Sequence, residues 1–434
     1  MSKMTNNRMV SRSMLGGVSL LTLVGMALGG CATSPTNERA SVPAPVPATR
    51  STETASNTTP SAEPASRTHM IAARNTGRPL NQPGGTSLYG DILSTAIPAE
   101  ADRALEQRDT TNLTQVTYTF EGSDFDPVVS QDGSFLVFAS TQHQPTADLY
   151  FKRVNSKVVT RLTDDPAEDA MPAISPDGSH VAFTSNRTGN WDVFVMPVEG
   201  GRPVQITSDK GHELHPSWSP DGRTLVFCRL GVVSGRWEMW TVNLENPATS
   251  SFIGYGLFPE WCPVAATGES GADRIVYQLA RERGERSFSL WTLDYKDGQA
   301  FNQSLLKSSA INALINPTWS PDGKYVLYAS VPNPGEWGDP TSAKPEVANL
   351  WMVNVEGGGL VNLTAGQAVD LMPCWGPNER VYFVSDRSGS DNLWSIDVSQ
   401  SVMASASASP TRGGASERGV LTNVQDQNEY GDGN

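Results

Sequence analysis

The chain has 434 residues, and its 46 Asp and Glu residues outnumber its 32 Lys and Arg residues, which gives a formal net charge of −14. A charge of this sign repels the phosphate groups of nucleic acids and of anionic phospholipids. We therefore predict that the protein binds no nucleic acid and that its folded part does not bind an anionic membrane surface.

The start of the chain has the features of a bacterial export signal. Two arginines precede an apolar stretch over 15–28, which is too short and too rich in glycine for a stable transmembrane helix. The stretch ends in Leu-Gly-Gly-Cys, which resembles the lipobox of bacterial lipoproteins. We predict a lipoprotein signal peptide over residues 1–30 and lipidation of Cys31, of the palmitate type. The alternative is an ordinary signal peptide with an incidental cysteine.

The residues after Cys31 indicate in which membrane the protein is anchored and which segments are disordered. Ala32 stands where an aspartate would favour retention in the inner membrane, so we predict an outer-membrane anchor facing the periplasm, with no other membrane contact. Residues 31–110 are rich in Ser, Pro, Thr and Ala and cannot bury enough apolar surface to offset their chain entropy. We predict a disordered tether there and a disordered tail over residues 399–434.

The rest of the chain repeats one turn motif. Ser-Pro-Asp-Gly stands at 175–178, 219–222 and 320–323, and degenerate copies stand at 130–133 and 376–378. This motif is typical of a type I turn with glycine at the left-handed exit. A proline precedes each copy, and an apolar strand rich in β-branched and aromatic residues follows it. Pro259 opens a sixth unit whose turn has degenerated.

Units spaced by roughly 44 residues indicate an array of one supersecondary structure. We predict an all-β fold, a six-bladed β-propeller over residues 111–398 with four strands in each blade. Leu113-Thr114 precedes the first complete unit, so we predict that it supplies the outer strand of the last blade. Closure by Val420-Leu421-Thr422 is the competing hypothesis.

Two longer motifs resemble a known family. Pro-x-Trp-Ser-Pro-Asp-Gly-(Arg/Lys), at 216–223 and 317–324, and the segment 185–194 are similar to the TolB-type propeller family with WD40-like (PD40) repeats. The resemblance covers about two thirds of the chain and implies a six-bladed propeller. TolB carries an α/β domain before its propeller and is periplasmic, whereas here the preceding segment is of low complexity and follows a lipobox. This difference puts the partner set of TolB in doubt.

Acidic residues recur three positions before the anchoring prolines. Equivalent positions of successive blades form a ring at one mouth of a propeller channel. We predict that four of these residues, with two nearby histidines and a tryptophan on the long loop at 331–346, form a binding site that attracts a cation or a basic peptide. The predicted residues are Asp124, Asp169, Glu213, Asp370, His212, His215 and Trp337. Solvated loop charges, and a tryptophan that plugs its own blade, are the alternatives.

The sequence offers little that indicates catalysis. It lacks a nucleophile elbow, a P-loop and a dinucleotide fingerprint, and it has five histidines. His-Glu-Leu-His at 212–215 is not a zinc-protease motif, and we predict no metal and no cofactor. After lipidation of Cys31, three cysteines remain, which we interpret as buried thiols, with a Cys228–Cys262 disulfide as the alternative.

We therefore predict a non-catalytic envelope lipoprotein that acts as a protein-binding scaffold. Its predicted partner is an envelope protein or peptide, with peptidoglycan-associated proteins as one class of candidate. Two alternatives stay open. One is a propeller enzyme of the metal-dependent polysaccharide lyase type, which requires several histidines at one metal. The other is a carbohydrate-binding module that uses exposed aromatic side chains.

Overall fold

A computed structural model describes residues 112–280, 287–332, 345–356 and 358–407. They form six four-stranded antiparallel sheets arranged as the blades of a β-propeller, which confirms the predicted fold. The predicted signal peptide, Cys31, the tether, Trp337 and Val420-Leu421-Thr422 lie outside the described residues.

Each blade runs from an innermost to an outermost strand. Blade 1 has β2 (Asp124–Val129), β3 (Phe135–Ser140), β4 (Asp148–Arg153) and β5 (Val159–Arg161). Blade 2 has β6 (Asp169–Ile174), β7 (His180–Ser185), β8 (Asp192–Pro197) and β9 (Val204–Gln205). Blade 3 has β10 (Glu213–Trp218), β11 (Thr224–Leu230), β12 (Trp237–Asn243) and β13 (Ser250–Tyr255).

The other three blades have the same order. Blade 4 has β14 (Leu257–Trp261), β15 (Asp273–Ala280), β16 (Phe288–Lys296) and β17 (Gln299–Lys307). Blade 5 has β18 (Asn312–Trp319), β19 (Tyr325–Pro332), β20 (Asn349–Asn354) and β21 (Val361–Asn362). Blade 6 has β22 (Asp370–Gly376), β23 (Arg380–Ser385), β24 (Asn392–Asp397) and, as its outer strand, β1 (Thr114–Gln115).

The ring is closed by the N-terminal strand, as predicted. Thr114 and Gln115 pair with Ser395 and Trp394 of blade 6. The Val116 amide then donates to the Leu393 carbonyl at 2.8 Å. The closing strand therefore completes blade 6 by backbone hydrogen bonds to β24, and the chain continues from it into β2 of blade 1, which links the first and last blades.

The Ser-Pro-Asp-Gly turns form as predicted and lie between the first and second strands of their blades. In blade 2, the Ser175 hydroxyl donates to Asp177 at 2.6 Å, and the Gly178 amide donates to the Ser175 carbonyl at 2.8 Å. Gly178 has a φ of 72°, where a side chain would be strained. We call the face of the propeller that carries these turns the turn face, and the other one the opposite face.

Each innermost strand contains a bulge directly before its anchoring proline. The six residues at this position have φ between 48° and 56°, and the strand register shifts there in every blade. They are Asp126, Met171, His215, Phe258, Asn316 and Met372. A non-glycine residue with positive φ is uncommon, so its repetition six times marks the bulge as part of the fold. The bulge turns these side chains toward the propeller axis.

Apolar side chains fill the space between neighbouring blades. Tyr150, Tyr277, Tyr328, Phe183 and Phe383 are among the largest fully buried side chains. A side chain of this size contributes about 1.5–3 kcal/mol when it leaves water. Indole groups add bonds between blades: Trp218 Nε1 donates to the Ala173 carbonyl at 2.9 Å, and Trp319 Nε1 donates to the Glu260 carbonyl at 3.0 Å.

Two long connections lie within blades, and a helix follows the last blade. The expanded hairpin at 262–272 joins β14 to β15, and the long loop after Pro332 joins β19 to β20. Helix α1 (Ser399–Ser407) occupies the first nine residues of the predicted disordered tail. Val402 packs against the core, and the Ser405 hydroxyl donates to the Gly359 carbonyl at 2.8 Å, which explains why this segment is ordered.

Cys228, Cys262 and Cys374 are free thiols, so the alternative of a Cys228–Cys262 disulfide is wrong. Burial raises the pKa of Cys228 and of Cys374 to about 12, which keeps both thiols unreactive. Within the described ranges, no helix is long and apolar enough to cross a membrane.

Candidate functional site: the central cavity

All six innermost strands line one cavity of about 270 Å³ on the propeller axis. Its wall begins at the bulge residues and ends at the turns, where Gln131, Pro176, Pro220, Pro263, Pro321 and Pro377 surround it. The cavity therefore opens at the turn face. This is the other end of the channel from the mouth that the sequence analysis predicted as the binding site.

The ring of bulge residues forms the floor of the cavity, and it is mixed in character. Each of the six blades contributes one side chain, and together these are two thioethers, an aromatic ring, an amide, an imidazole and a carboxyl group. The His215 ring lies 3.7 Å from the Phe258 ring between centroids, and burial lowers the pKa of His215 to about 3. His215 is therefore a neutral imidazole at physiological pH, so it adds no positive charge to the floor.

Two carboxyl groups line the cavity, and both resist ionisation. Asp126 accepts a hydrogen bond from the Met171 amide at 3.2 Å, and Glu260 accepts one from the Thr318 hydroxyl at 2.9 Å. Burial raises the pKa of each to about 7. Below that pH the cavity is close to neutral, although the protein as a whole is strongly acidic.

Indole rings and unpartnered polar atoms complete the wall. Trp218, Trp261, Trp319 and Trp375 stand two residues after their anchoring prolines and line the cavity. Among the described residues, Trp261 Nε1 and Asn316 Oδ1 are buried and have no hydrogen-bond partner. Buried polar atoms are normally paired, so a donor and an acceptor are left to a bound group or to water. The cavity thus suits an uncharged, partly apolar segment that also forms hydrogen bonds.

The four predicted acidic residues are not exposed at a mouth. Asp124, Asp169, Glu213 and Asp370 are at most 1% exposed, because they begin the innermost strands and are covered by the neighbouring blades. Arg187 donates to both oxygens of Asp169 at 2.8 Å, and Arg387 donates to both oxygens of Asp370 at 2.6 and 2.7 Å. The structure corrects their expected exposure, and their role in binding stays a prediction.

The sequence contained a signal for these ion pairs. Ser185-Asn186-Arg187 and Ser385-Asp386-Arg387 recur at the ends of second strands. In each, the serine is the register partner of the acidic residue, so the arginine two positions later reaches the carboxylate. Each arginine also lies over aromatic rings of its own blade. Matching these arginines to the acidic positions would have predicted burial.

The structure separates the two predicted histidines. His212 is exposed on the opposite face, where its Nδ1 accepts a hydrogen bond from the Trp191 amide at 3.4 Å, whereas His215 lines the cavity. Trp337 lies outside the described residues, so its predicted place beside them stays a prediction. In the described part of the chain, no three His, Cys, Asp or Glu side chains gather as metal ligands.

Known proteins with a similar sequence include TolB proteins. The family profile described as the TolB beta propeller domain (PD40) matches residues 104–251. The propeller is TolB-like. Tol-Pal system protein TolB of Francisella tularensis subsp. mediasiatica (strain FSC147) is 26% identical over 232 residues, which are 53% of this chain and 48% of the relative. TolB of subsp. holarctica (strain OSU18) is 27% identical over 232 residues. The chain spans about half the length of these curated relatives.

Solved structures with a similar fold carry different names. The putative TolB from Agrobacterium tumefaciens is 18% identical, with a TM-score of 0.47 over 66% of this chain and 96% of its own. Oligogalacturonate lyase from Vibrio parahaemolyticus is 16% identical, with a TM-score of 0.45 over 68% of this chain and 96% of its own.

Proposed function

We propose that this protein is a non-catalytic scaffold of the bacterial cell envelope that holds a segment of a partner protein in the central cavity. The observation that carries the proposal is the cavity itself. All six blades contribute to it, it opens at the turn face, and it is lined by prolines and indole rings with a few unpartnered polar atoms. Binding sites of this kind gain affinity from buried aromatic contacts and orientation from a few polar groups.

The envelope location rests on two supports. The relatives are named Tol-Pal system proteins, and the start of the chain resembles a lipoprotein signal with Cys31 as the lipidated residue. We propose a lipid anchor in the outer membrane, facing the periplasm, and a partner that is an envelope protein, with peptidoglycan-associated proteins as the first to test. The formal net charge of −14 disfavours binding of the folded part to anionic lipid, so the proposed membrane contact is the anchor alone.

The enzymatic alternative is less well supported. A lyase of the metal-dependent type would need several histidines at one centre. His212 is exposed outside the cavity and His215 is inside it, so these two do not form the start of such a centre. No observation on the described residues favours a particular substrate, and we propose a binding role without chemistry.

A photoreactive amino acid tests the proposed binding site in intact cells. Gln131 is exposed at the rim of the cavity, and Lys157 is exposed on an outer hairpin of the same blade. A benzophenone side chain at Gln131 should cross-link to a distinct envelope protein, while the same group at Lys157 should not. Mass spectrometry of the cross-linked band identifies the partner. Equal labelling from both positions, or from neither, would argue against a partner segment in the cavity.

A further inference from the structure

The apolar segment Val420-Leu421-Thr422 has no role in the fold of the described residues. Closure of the ring by this segment was the competing hypothesis, and β1 takes that place by pairing with β24. All six sheets have four strands that come from other parts of the chain. The segment lies outside the described residues, so its binding place has to be inferred from its sequence and from the point where α1 ends.

Helix α1 ends on the face of the propeller where the cavity opens. Just before the helix, the Val398 amide donates to the Glu379 carbonyl, in the turn between β22 and β23, at 2.8 Å. Near the end of the helix, the Ser405 hydroxyl donates to the Gly359 carbonyl, in the turn between β20 and β21. Both turns belong to the turn face, so the chain leaves α1 after Ser407 on that face.

The chain after α1 is long enough to reach the cavity. Residues 408–419 separate the helix from Val420. At no more than about 3.3 Å for each residue, they span up to about 40 Å. Strands in a sheet lie about 4.8 Å apart, so the innermost and outermost strands of a four-stranded blade are only about 15 Å apart. Val420 can therefore reach the opening from the outer edge of a blade.

The segment around Val420 is uncharged and partly apolar. Residues 419–425 read Gly-Val-Leu-Thr-Asn-Val-Gln, which combines three aliphatic side chains with a hydroxyl and two amide groups. Charged residues begin on both sides of it, at Arg418 and Asp426. A segment of this composition loses little on leaving water, provided that its polar groups find hydrogen-bond partners.

The cavity has the matching character. Among the described residues, its lining includes no Lys and no Arg, and its two carboxyl groups are mostly neutral below pH about 7. Its indole rings and prolines offer apolar surface. Trp261 Nε1 and Asn316 Oδ1 line it as a donor and an acceptor without partners in the described part of the chain. An amide or hydroxyl side chain could satisfy either of them.

We propose that residues 419–425 of the same chain occupy the central cavity when no partner is bound there. The segment then acts as a tethered competitor, which has to leave before a partner segment can enter. A short tether holds a segment at roughly millimolar effective concentration, so weak contacts are sufficient for occupation. This regulatory role rests on the proposed function, whereas occupation of the cavity by the segment does not.

The experiment uses the purified full chain with a benzophenone side chain at Gln131, which is exposed at the rim of the cavity. Irradiation of the protein alone should form a cross-link that mass spectrometry maps within residues 419–425, in a product with the mass of one chain. The same group at the exposed Lys157 should not link to this segment.

A charge in the segment should prevent its binding. Leu421→Asp would bring a carboxylate into a cavity that lacks basic side chains, so the cross-link yield should fall at least about tenfold. Ala415→Asp adds the same charge outside the segment and should leave the yield unchanged. A synthetic peptide of residues 419–425, followed by tryptophan fluorescence, should bind the Leu421→Asp protein at least about tenfold more tightly than the wild type, whose cavity is already occupied.

Two results would overturn the proposal directly. One is the absence of a cross-link within residues 419–425 in the purified protein, and the other is a yield that Leu421→Asp leaves unchanged. A product with the mass of two chains would also overturn it, because the segment would then come from a second copy. A partner band in cells without the internal cross-link would leave the proposed function standing alone. The internal cross-link without a partner band would overturn the proposed function instead.

Discussion

At the residue scale, the acid at one position of the repeat has three different environments. The first residue of the innermost strand is a buried acid in four blades, and its partner differs from blade to blade. Asp169 and Asp370 have arginines, Asp124 accepts bonds from the hydroxyls of Ser140 and Thr119 at 2.6 and 2.8 Å, and Glu213 has no partner among the described residues. The position therefore keeps a buried acid without a fixed partner, and at Glu213 burial and the neighbouring Asp192 raise the pKa, which favours the neutral acid.

The cavity carboxyls should make stability depend on pH. The pKa of Asp126 and of Glu260 is about 7 in the folded protein and about 4 in an unfolded chain. The folded state therefore binds more protons than the unfolded state between these values, and the free energy of unfolding should fall as pH rises from about 4 through 7. The double variant Asp126→Asn, Glu260→Gln should show a flatter profile.

Urea unfolding at several pH values between 5 and 8 measures this effect. Asp132→Asn is a suitable control, because Asp132 is an exposed turn residue whose pKa is lowered by bonds from Ser130 and Ser134. That substitution should leave the slope over this range unchanged. A wild-type slope that persists in the double variant would show that other groups carry the proton uptake.

At the scale of elements, the sequence predicts the strands and turns that repeat along the chain. It does not predict the features that depend on the direction of side chains. Turns, strands and the closing strand follow from the repeat, because Ser-Pro-Asp-Gly and the apolar runs specify local structure. The bulge before each proline was not predicted. Three of its six residues are Met or Phe, which do not favour positive φ, so its signal is the proline spacing and not residue type.

The bulge also explains why the four predicted acids are buried, whereas the sequence analysis expected them to be exposed at a channel mouth. The acids lie just before the bulge and point between blades, whereas the residues at the bulge point to the axis. A count of three positions back from the proline cannot distinguish these directions, since the bulge interrupts the alternation of the strand. The ordered helix α1 was missed for a related reason, because its stability comes from contacts of Val402 and Ser405 with the propeller.

The closing strand should contribute measurably to stability. Deletion of residues 32–105 leaves β1 intact and should keep the melting temperature unchanged. Deletion of residues 32–116 removes the pairing of Thr114 and Gln115 and the bond from Val116 to Leu393. At about 1 kcal/mol for each hydrogen bond, the longer deletion should lower the free energy of unfolding by about 2–4 kcal/mol. Denaturant unfolding compares the two proteins, and equal stability would show that another segment closes the ring.

At the scale of the whole molecule, the two ends of the channel have different roles. The opposite face is held together by buried ion pairs and hydroxyl bonds between and within blades. The turn face carries the open cavity with its neutral carboxyls and indole rings. If the cavity binds a partner as proposed, the paired half of each innermost strand would hold the cavity-lining half in place.

The proposed lipid anchor can be tested without knowledge of the partner. If Cys31 is lipidated, Cys31→Ser should move the protein from the membrane fraction to the soluble fraction and abolish labelling with a radioactive fatty acid. Lipid chains supply membrane affinity in proportion to their buried methylene groups, and the acidic net charge of the protein supplies none. Cys228→Ser is the control, because this buried free thiol should affect neither fractionation nor labelling. Membrane association and fatty-acid labelling that both persist in Cys31→Ser would show that the lipobox was misidentified.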